Sequence, residues 1–294
     1  GLNASLSILG YFFGLEVFTQ EGGRAYGATS SANNMALMCV FTLPLMIHSM
    51  VYAFSAPARV LATFLVLILI FGVFSTVSRG GFLNLVAVLA LMALQYRKHF
   101  HPRYLGLLVA GLAIGMTLLT TLVPQSFFDR QATLVTEGTE DRSISRRSYY
   151  LEVGFDAVAE RTAIGWGPTT FQSLWVESAA ALRFDRVKRP AHNTYMEVAV
   201  GSGLLGLLAF GALIFKIYRN YVTAERSLAD RGCSREAHLI GAYKAGFTAV
   251  MIYFLFKSGI EHKHFLLAVP LSYAALLYAR NRIRTSPAPV QEEQ

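Results

Sequence analysis

Four groups of polar residues in an otherwise apolar chain have types and spacings that could do chemistry. The first lies in RPAHNTYMEVAVGSG, Arg189 to Gly203, where His192 and Asn193 precede a long apolar run, with Tyr195 and Glu197 just beyond. An imidazole titrates near neutral pH and can take a proton from a hydroxyl. Asn193 either orients that ring or binds a substrate hydroxyl, or it only caps the helix that follows. Glu197 is either the partner of a helix arginine or a support behind the histidine. The second group is SRGG, Ser78 to Gly81. Arg79 offers a planar fork matched to two phosphate oxygens, and Gly80 and Gly81 would admit a phosphate to the next helix N-terminus. The alternative is a guanidinium that snorkels to lipid headgroups.

The third group is Arg142, Arg146 and Arg147. They form either a solvated helix face or a positive patch carried over a lipid-linked pyrophosphate. The fourth is Arg24 with Asn33 and Asn34, which either cap the next helix or contact substrate. No DxD-type pair, Walker A signature or GxSxG is present. Glu261, His262, Lys263 and His264 resemble metal ligands by composition, but no spaced carboxylate and histidine set supports them. No metal and no cofactor are therefore expected. Cys39 and Cys233 imply neither a disulfide framework nor a thiolate site.

Long apolar runs must hold these residues. Of 294 residues, 54% are hydrophobic and 15% charged, with a mean hydropathy of +0.43. A soluble domain of this size is about a quarter charged. After an apolar segment at Leu2–Phe18 and a polar stretch at Thr19–Asn34, seven spans are expected. They are Met35–Phe54, Val60–Val77, Gly81–Tyr96, Tyr104–Val123, Thr194–Phe215, Leu239–Leu255 and Phe265–Tyr278. Runs this long suit helices and not barrel strands. The fold class is an all-α polytopic membrane protein. Its expected divisions are 1–23, a partial span or interfacial helix; 24–123, four membrane helices; 124–193, a loop domain; 194–279, three membrane helices; and 280–294, a tail.

The formal charge of +8 is distributed as topology requires. Arg59, the basic loop Arg97–Arg103, Lys216 to Arg235 and Arg280 to Arg284 share one parity of the spans. The positive-inside rule makes that face cytoplasmic. The long loop carries nine basic and nine acidic residues and falls on the outer face, as do Arg24, Arg79 and His192. Nucleic acid is thereby disfavoured as a partner. Within the loop, Tyr150, Leu151, Gly154, Phe155, Val158 and Ala159 recur at helical spacing over Ile144–Arg161. That pattern predicts an amphipathic helix lying on the membrane or packed on the loop. IGWGPTTF, Ile164 to Phe171, predicts a tight turn with Trp166 at the interface, and GSGLLG, Gly201 to Gly206, predicts close helix packing. The chain begins at Gly1 without a signal-peptide pattern, so further upstream sequence is expected.

Four stretches, in order, resemble the O-antigen ligase and polymerase superfamily of bacterial inner membranes. They are RAYGATSSANNMAL (Arg24–Leu37), STVSRGGFL (Ser75–Leu83), SRRSYYLEVGFDAVAERTAIGWGPTTF (Ser145–Phe171) and HNTYMEVAVGSGLLGLLAF (His192–Phe210). In the third, Tyr150 stands where the family has tryptophan, and Arg146 aligns slightly better than Arg147. The resemblance implies a GT-C-like, multi-pass, metal-independent glycosyltransferase with a large periplasmic loop. The donor would be a glycan on undecaprenyl pyrophosphate, and the acceptor a sugar hydroxyl on lipid A core or on a growing glycan. It implies that Arg79 and Arg146 hold the pyrophosphate and His192 activates the acceptor, with Arg24, Asn33, Arg147, Asn193, Tyr195 and Glu197 around the substrate. Two other readings stay open: a transporter of a lipid or anionic substrate, for which Glu197 and Lys244 would serve, and a scaffold of a polysaccharide assembly complex.

Overall fold

The computed structural model describes residues 4–5, 19–20, 24–29, 31–97, 125, 128, 132, 142–184 and 186–285. Most of the Leu2–Phe18 segment, the expected span Tyr104–Val123, most of 124–141 and the end of the tail lie outside these residues. The described chain is all-α apart from a two-residue antiparallel pair, β1 (Thr19–Gln20) with β2 (Arg24–Ala25). The helices are α1 (Ala32–Tyr52), α2 (Ala56–Ser75), α3 (Arg79–Tyr96), α4 (Arg142–Glu160), α5 (Phe171–Glu177), α6 (Thr194–Ala229), α7 (Ser234–Tyr253) and α8 (Lys263–Thr285). A 3-10 turn, Ala179–Arg183, follows α5. Four of them, α1, α2, α3 and α6, are long and apolar enough to cross a membrane. The protein is a multi-pass membrane protein. Helices α7 and α8 cover the sixth and seventh expected spans but carry more polar residues and fall outside those four.

Two compact units divide the chain, one built from residues 1–132, 228–249 and 288–294, the other from 133–227 and 250–287. In the first, α1, α2 and α3 share an apolar core that includes Met35, Cys39, Val40 and Leu43 of α1, Leu69 and Val73 of α2, and Leu85, Val88 and Met92 of α3. Serine caps start all three helices. Ser31, Ser55 and Ser78 each accept from a backbone N–H three residues on, satisfying a donor that the first turn leaves unpaired. Pro57 near the start of α2 costs no intrahelical bond for the same reason. The outward side of α2 exposes Val60, Leu61, Phe64 and Leu67, a surface that only lipid or protein would solvate.

Part of α7 joins this unit through polar ties. The Asn84 side-chain N–H donates to the Ala249 carbonyl at 2.8 Å, and that of Gln95 to the His238 carbonyl at 2.8 Å. The Tyr52 hydroxyl and His238 Nδ1 are 2.5 Å apart. Away from water each such bond contributes about 0.5–2 kcal/mol. Close approach of α1 and α3 depends on Gly81, where a Cβ would lie 2.5 Å from the Ala36 Cβ.

In the second unit the helices outrun the expected spans. Helix α6 has 36 residues and carries Lys216, Arg219 and Arg226, which sequence placed in a linker after Phe215. Helix α8 likewise carries Arg280, Arg282 and Arg284, which were expected in a tail beginning at residue 280. Lys and Arg are good helix formers, so hydropathy marks where the apolar stretch ends and not where the helix does. Helix α6 yields only shortly before Gly232, which has φ 73° and no Cβ to oppose it.

Gly81→Ala is expected to destabilise the protein by about 1–3 kcal/mol through overpacking. Ala36→Gly in the same chain should restore part of the loss. Thermal unfolding in detergent checks both.

Candidate active site

His192 ends an irregular stretch, and the sequence around it fixes its position on all sides. Asn193 is the cap of α6, its side-chain oxygen accepting from the Met196 N–H at 3.1 Å. Glu197 reaches back and accepts from the Ala191 N–H at 2.7 Å. The Thr194 N–H donates to the Phe254 carbonyl at 2.8 Å, and its hydroxyl to the Lys257 carbonyl at 2.6 Å. The Tyr195 hydroxyl donates to the Met251 carbonyl at 3.0 Å. Asn193, Tyr195 and Glu197, expected around substrate, are thus bonded to the protein itself. His192 adopts φ 52°, a left-handed conformation that costs a non-glycine residue about 1–2 kcal/mol. The surrounding ties hold it there.

Helix α4 delivers the arginines. It crosses the start of α6 at Gly154, where a Cβ would fall 2.5 Å from Met196 Sδ. One turn back, the Tyr150 ring lies against His192 with centroids 5.8 Å apart. One further turn back are Arg146 and Arg147. Tyr150 is anchored by Trp175, whose ring meets it edge-on at 4.5 Å, and both belong to a core with Phe171, Ala191 and Met196. The Arg146 guanidinium lies 5.4 Å from the centre of the Phe184 ring, and its Nε is buried without a hydrogen bond. The expected apolar face of α4 is split. Tyr150, Gly154 and Ala157 face the core, while Leu151 and Phe155 are exposed at 37% and 64%.

The turn at Ile164–Gly167 does more than reverse the chain. Helix α6 is broken at Gly203, with φ 64° and ψ −168°, and the turn fills the break. The N–H groups of Trp166 and Gly167 donate to the Val200 and Gly201 carbonyls at 2.8 and 2.9 Å. In return, Leu204 and Leu205 donate to the Thr162 and Ala163 carbonyls at 2.8 and 3.3 Å. Gly201 and Gly203 of GSGLLG therefore admit a loop backbone, where helix packing was expected. A Cβ on Gly203 would lie 2.2 Å from the Ala163 oxygen. Trp166, expected as an interface anchor, donates its indole N–H to the Ala157 carbonyl at 2.8 Å and stacks under Arg161 at 4.0 Å.

The imidazole of His192 is half-buried and makes no hydrogen bond to any described residue. Burial, and after it the charges of Lys257, Arg147, Arg189 and Arg146, push its pKa down to about 4. It is neutral at pH 7, with a nitrogen able to accept a proton. Lys257 and Arg189 were not among the residues singled out from sequence. Arg189 precedes the histidine closely in sequence, whereas Lys257 lies in no recognisable pattern and acts on the ring only through the fold. His262 and His264 have their Nδ1 atoms 3.1 Å apart, so at most one of the two atoms carries a proton. Among the described residues, no three His, Cys, Asp or Glu side chains converge as metal ligands would.

The remaining candidates belong to the first unit. Arg79 is the first residue of α3, half-buried, just after the cap Ser78. The turn before it is braced from β2 and α1. Arg24 Nε donates to the Thr76 carbonyl at 3.2 Å, and Arg24 Nη2 to Asn33 Oδ1 at 3.4 Å. The Ser78 hydroxyl donates to the same Asn33 oxygen at 2.8 Å. Arg24 and Asn33 thus support the Arg79 turn.

Residues 64–211 match the O-antigen ligase family. The chain belongs to the O-antigen ligase family. The match takes in Arg79, Arg146, Arg147, His192 and the Gly203 break, and leaves Arg24, Asn33 and Lys257 outside. No curated protein matches the chain. In this ligase-family protein the order turn, arginine helix, glycine turn and asparagine-capped helix preceded by the histidine is therefore one continuous matched block.

Gly203→Ala should cost about 1–3 kcal/mol or more, because both the backbone angle and the Ala163 carbonyl oppose a Cβ. A thermal melt checks it. His192 also makes stability depend on pH. Its folded value, about 4, lies below the ordinary 6.5, so between those values the unfolded chain binds the proton first. Stability then falls as pH drops through that window. His192→Gln should gain melting temperature relative to the unaltered protein as the pH is lowered from 7 into that window.

Proposed function

We propose that this protein transfers a glycan from undecaprenyl pyrophosphate to a sugar hydroxyl, as an O-antigen ligase or a polysaccharide polymerase, at the outer face of a bacterial inner membrane. The observation that carries the proposal is a neutral imidazole, inside the family-matched residues 64–211, that makes no hydrogen bond to any described residue and is acted on by four cations. His192 takes the acceptor hydroxyl proton. The acceptor oxygen attacks the anomeric carbon as the bond from that carbon to the phosphate oxygen breaks. The diphosphate departs with the bonding pair, and displacement from the opposite side inverts the anomeric centre. Arg146 stabilises the charge developing on the leaving diphosphate, which in a water-poor site is the larger electrostatic task, and Arg79, first residue of α3, is of the type and at the helix end that suit a phosphate. Arg147 adds to that field. The reading needs no metal ion and gives the fold a GT-C-like organisation with a periplasmic loop.

Reconstitution with undecaprenyl-pyrophosphate glycan and candidate acceptors tests this. His192→Ala should lower transfer by about 10²–10⁴-fold, and Arg146→Ala and Arg79→Ala by about 10²–10³-fold, with membrane abundance unchanged by blot. Activity should survive chelation. Undiminished transfer by His192→Ala would remove the base and favour a scaffold, whereas glycan movement without bond formation would favour a transporter.

A further inference from the structure

Helix α4 carries a second face that the proposed chemistry does not use. Its core side is the line Tyr150, Gly154 and Ala157. Away from the core, two exposed ridges run along the helix at i, i+4 spacing. One is apolar, Leu151, Phe155 and Ala159; the other is acidic, Glu152, Asp156 and Glu160. Each acid follows its apolar neighbour by one residue, so the ridges lie about 100° apart around the helix. So sharp an edge between exposed apolar and charged side chains marks a border between two solvents.

More apolar surface follows at the end of α4. Ile164 is 75% exposed, and the turn that holds it is bonded into α6 by the Leu204 and Leu205 N–H groups, which donate to the Thr162 and Ala163 carbonyls. Leu204, Leu205 and Leu208 are themselves exposed, on a helix long and apolar enough to cross a membrane. The end of α4 is therefore fixed, backbone to backbone, beside side chains that lipid solvates. Trp166, the residue that composition would choose as an anchor, is committed to the Ala157 carbonyl and to Arg161.

We propose that α4 is seated in the adjoining membrane leaflet through Leu151, Phe155 and Ile164, with Glu152, Asp156 and Glu160 turned to water. The occupant of the apolar ridge is the acyl border of the lipid, continuous with the lipid that covers Leu205 and Leu208. Helices that lie on membranes commonly carry Lys and Arg on the polar face and are drawn to anionic headgroups. Residues 151–160 contain three acids and no cation, so this contact rests on apolar burial and does not need anionic lipid. A helix held at that level keeps Arg146, on the same helix, near the headgroup layer. The seat does not depend on the transferase reading.

Site-directed spin labels test this in the full chain, held in phosphatidylcholine nanodiscs. The background is Cys233→Ser, because Cys39 is buried and escapes labelling. Labels go on Phe155→Cys and Ile164→Cys, on Asp156→Cys for the water side, and on Leu205→Cys as the lipid reference. Each replaces an exposed side chain, and thermal unfolding matched to the Cys233→Ser parent shows that the fold is kept. Oxygen, which partitions into lipid, and a nickel chelate, which stays in water, are the probes. Positions 155 and 164 should resemble 205, several-fold more accessible to oxygen than to the chelate, at a depth of about 5–10 Å. Position 156 should show the reverse. Adding phosphatidylglycerol should leave the depth unchanged. Chelate access at 155 equal to that at 156 places the helix in water and overturns the seat. Protection of 155 from both probes means that protein covers the ridge, a second copy included, and overturns it as well. A depth that grows with phosphatidylglycerol overturns its independence of lipid charge.

Discussion

A broken helix and the loop that repairs it govern the second unit. Backbone groups at membrane depth must be paired, because no water is there to solvate them. Helix α6 gives up its own pairing at Gly203, and the turn from Thr162 to Gly167 replaces it with four reciprocal backbone bonds. The exchange does two things at once. It locks the end of α4 to α6, and it frees the first turns of α6 to take a direction that the remaining helix does not dictate. Those first turns begin at the cap Asn193, directly behind His192. Glycine is required at 203 and 165 because a Cβ at either would meet backbone atoms within 2.6 Å.

With the frame fixed, the polar residues near His192 divide into two kinds. Asn193, Thr194, Tyr195 and Glu197 all spend their hydrogen bonds on the protein, and each bond joins the histidine stretch to α6, to α7 or to the loop beyond it. The imidazole itself makes no hydrogen bond to any described residue. Buried hydrogen-bonding groups in folded proteins are normally satisfied, so the exceptions are informative. Among the described residues the exceptions include Arg146 Nε and Ser258 Oγ, in segments that carry positive charge, and also Trp175 Nε1 and Asn84 Oδ1 elsewhere.

Much of this was legible in the sequence. Apolar runs gave the helices, since a helix crossing lipid needs an uninterrupted apolar stretch, and α1, α2 and α3 begin within three or four residues of the expected spans. The histidine-asparagine pair, the SRGG turn and the arginine helix were legible because their residue types are rare beside hydrocarbon. Helix ends were not, because Arg, Lys and Glu continue a helix as readily as Leu does. The split face of α4 was not, because spacing of i, i+3 and i+4 selects a broad stripe and cannot say that Gly154 is its centre line. Lys257 was not, because its segment is tied to the histidine stretch by the bond from the Thr194 hydroxyl to the Lys257 carbonyl, a contact between residues 63 apart. The glycines at 201 and 203 were recognised as places of close approach, but sequence could not tell an approaching helix from an approaching loop.

The two motif regions share a device that neither reveals alone. Val77 has φ 49° and is followed by the helix cap Ser78; His192 has φ 52° and is followed by the helix cap Asn193. A left-handed residue just before a cap turns the chain sharply into the first helical turn, whose N–H groups carry a partial positive charge. For a β-branched valine that conformation is unfavourable, and it persists because Val77 is buried and the Arg24 guanidinium ties down the carbonyl beside it. Such strain is usually found where a structure must hold a group in place against its own preference. In one case the held group is Arg79, the first helical residue; in the other it is the strained residue itself. That difference suits the chemistry proposed for each. A guanidinium binding phosphate gains from the helix N-terminus behind it, whereas an imidazole acting as a base needs to stand clear of the helix hydrogen bonds and remain able to accept a proton.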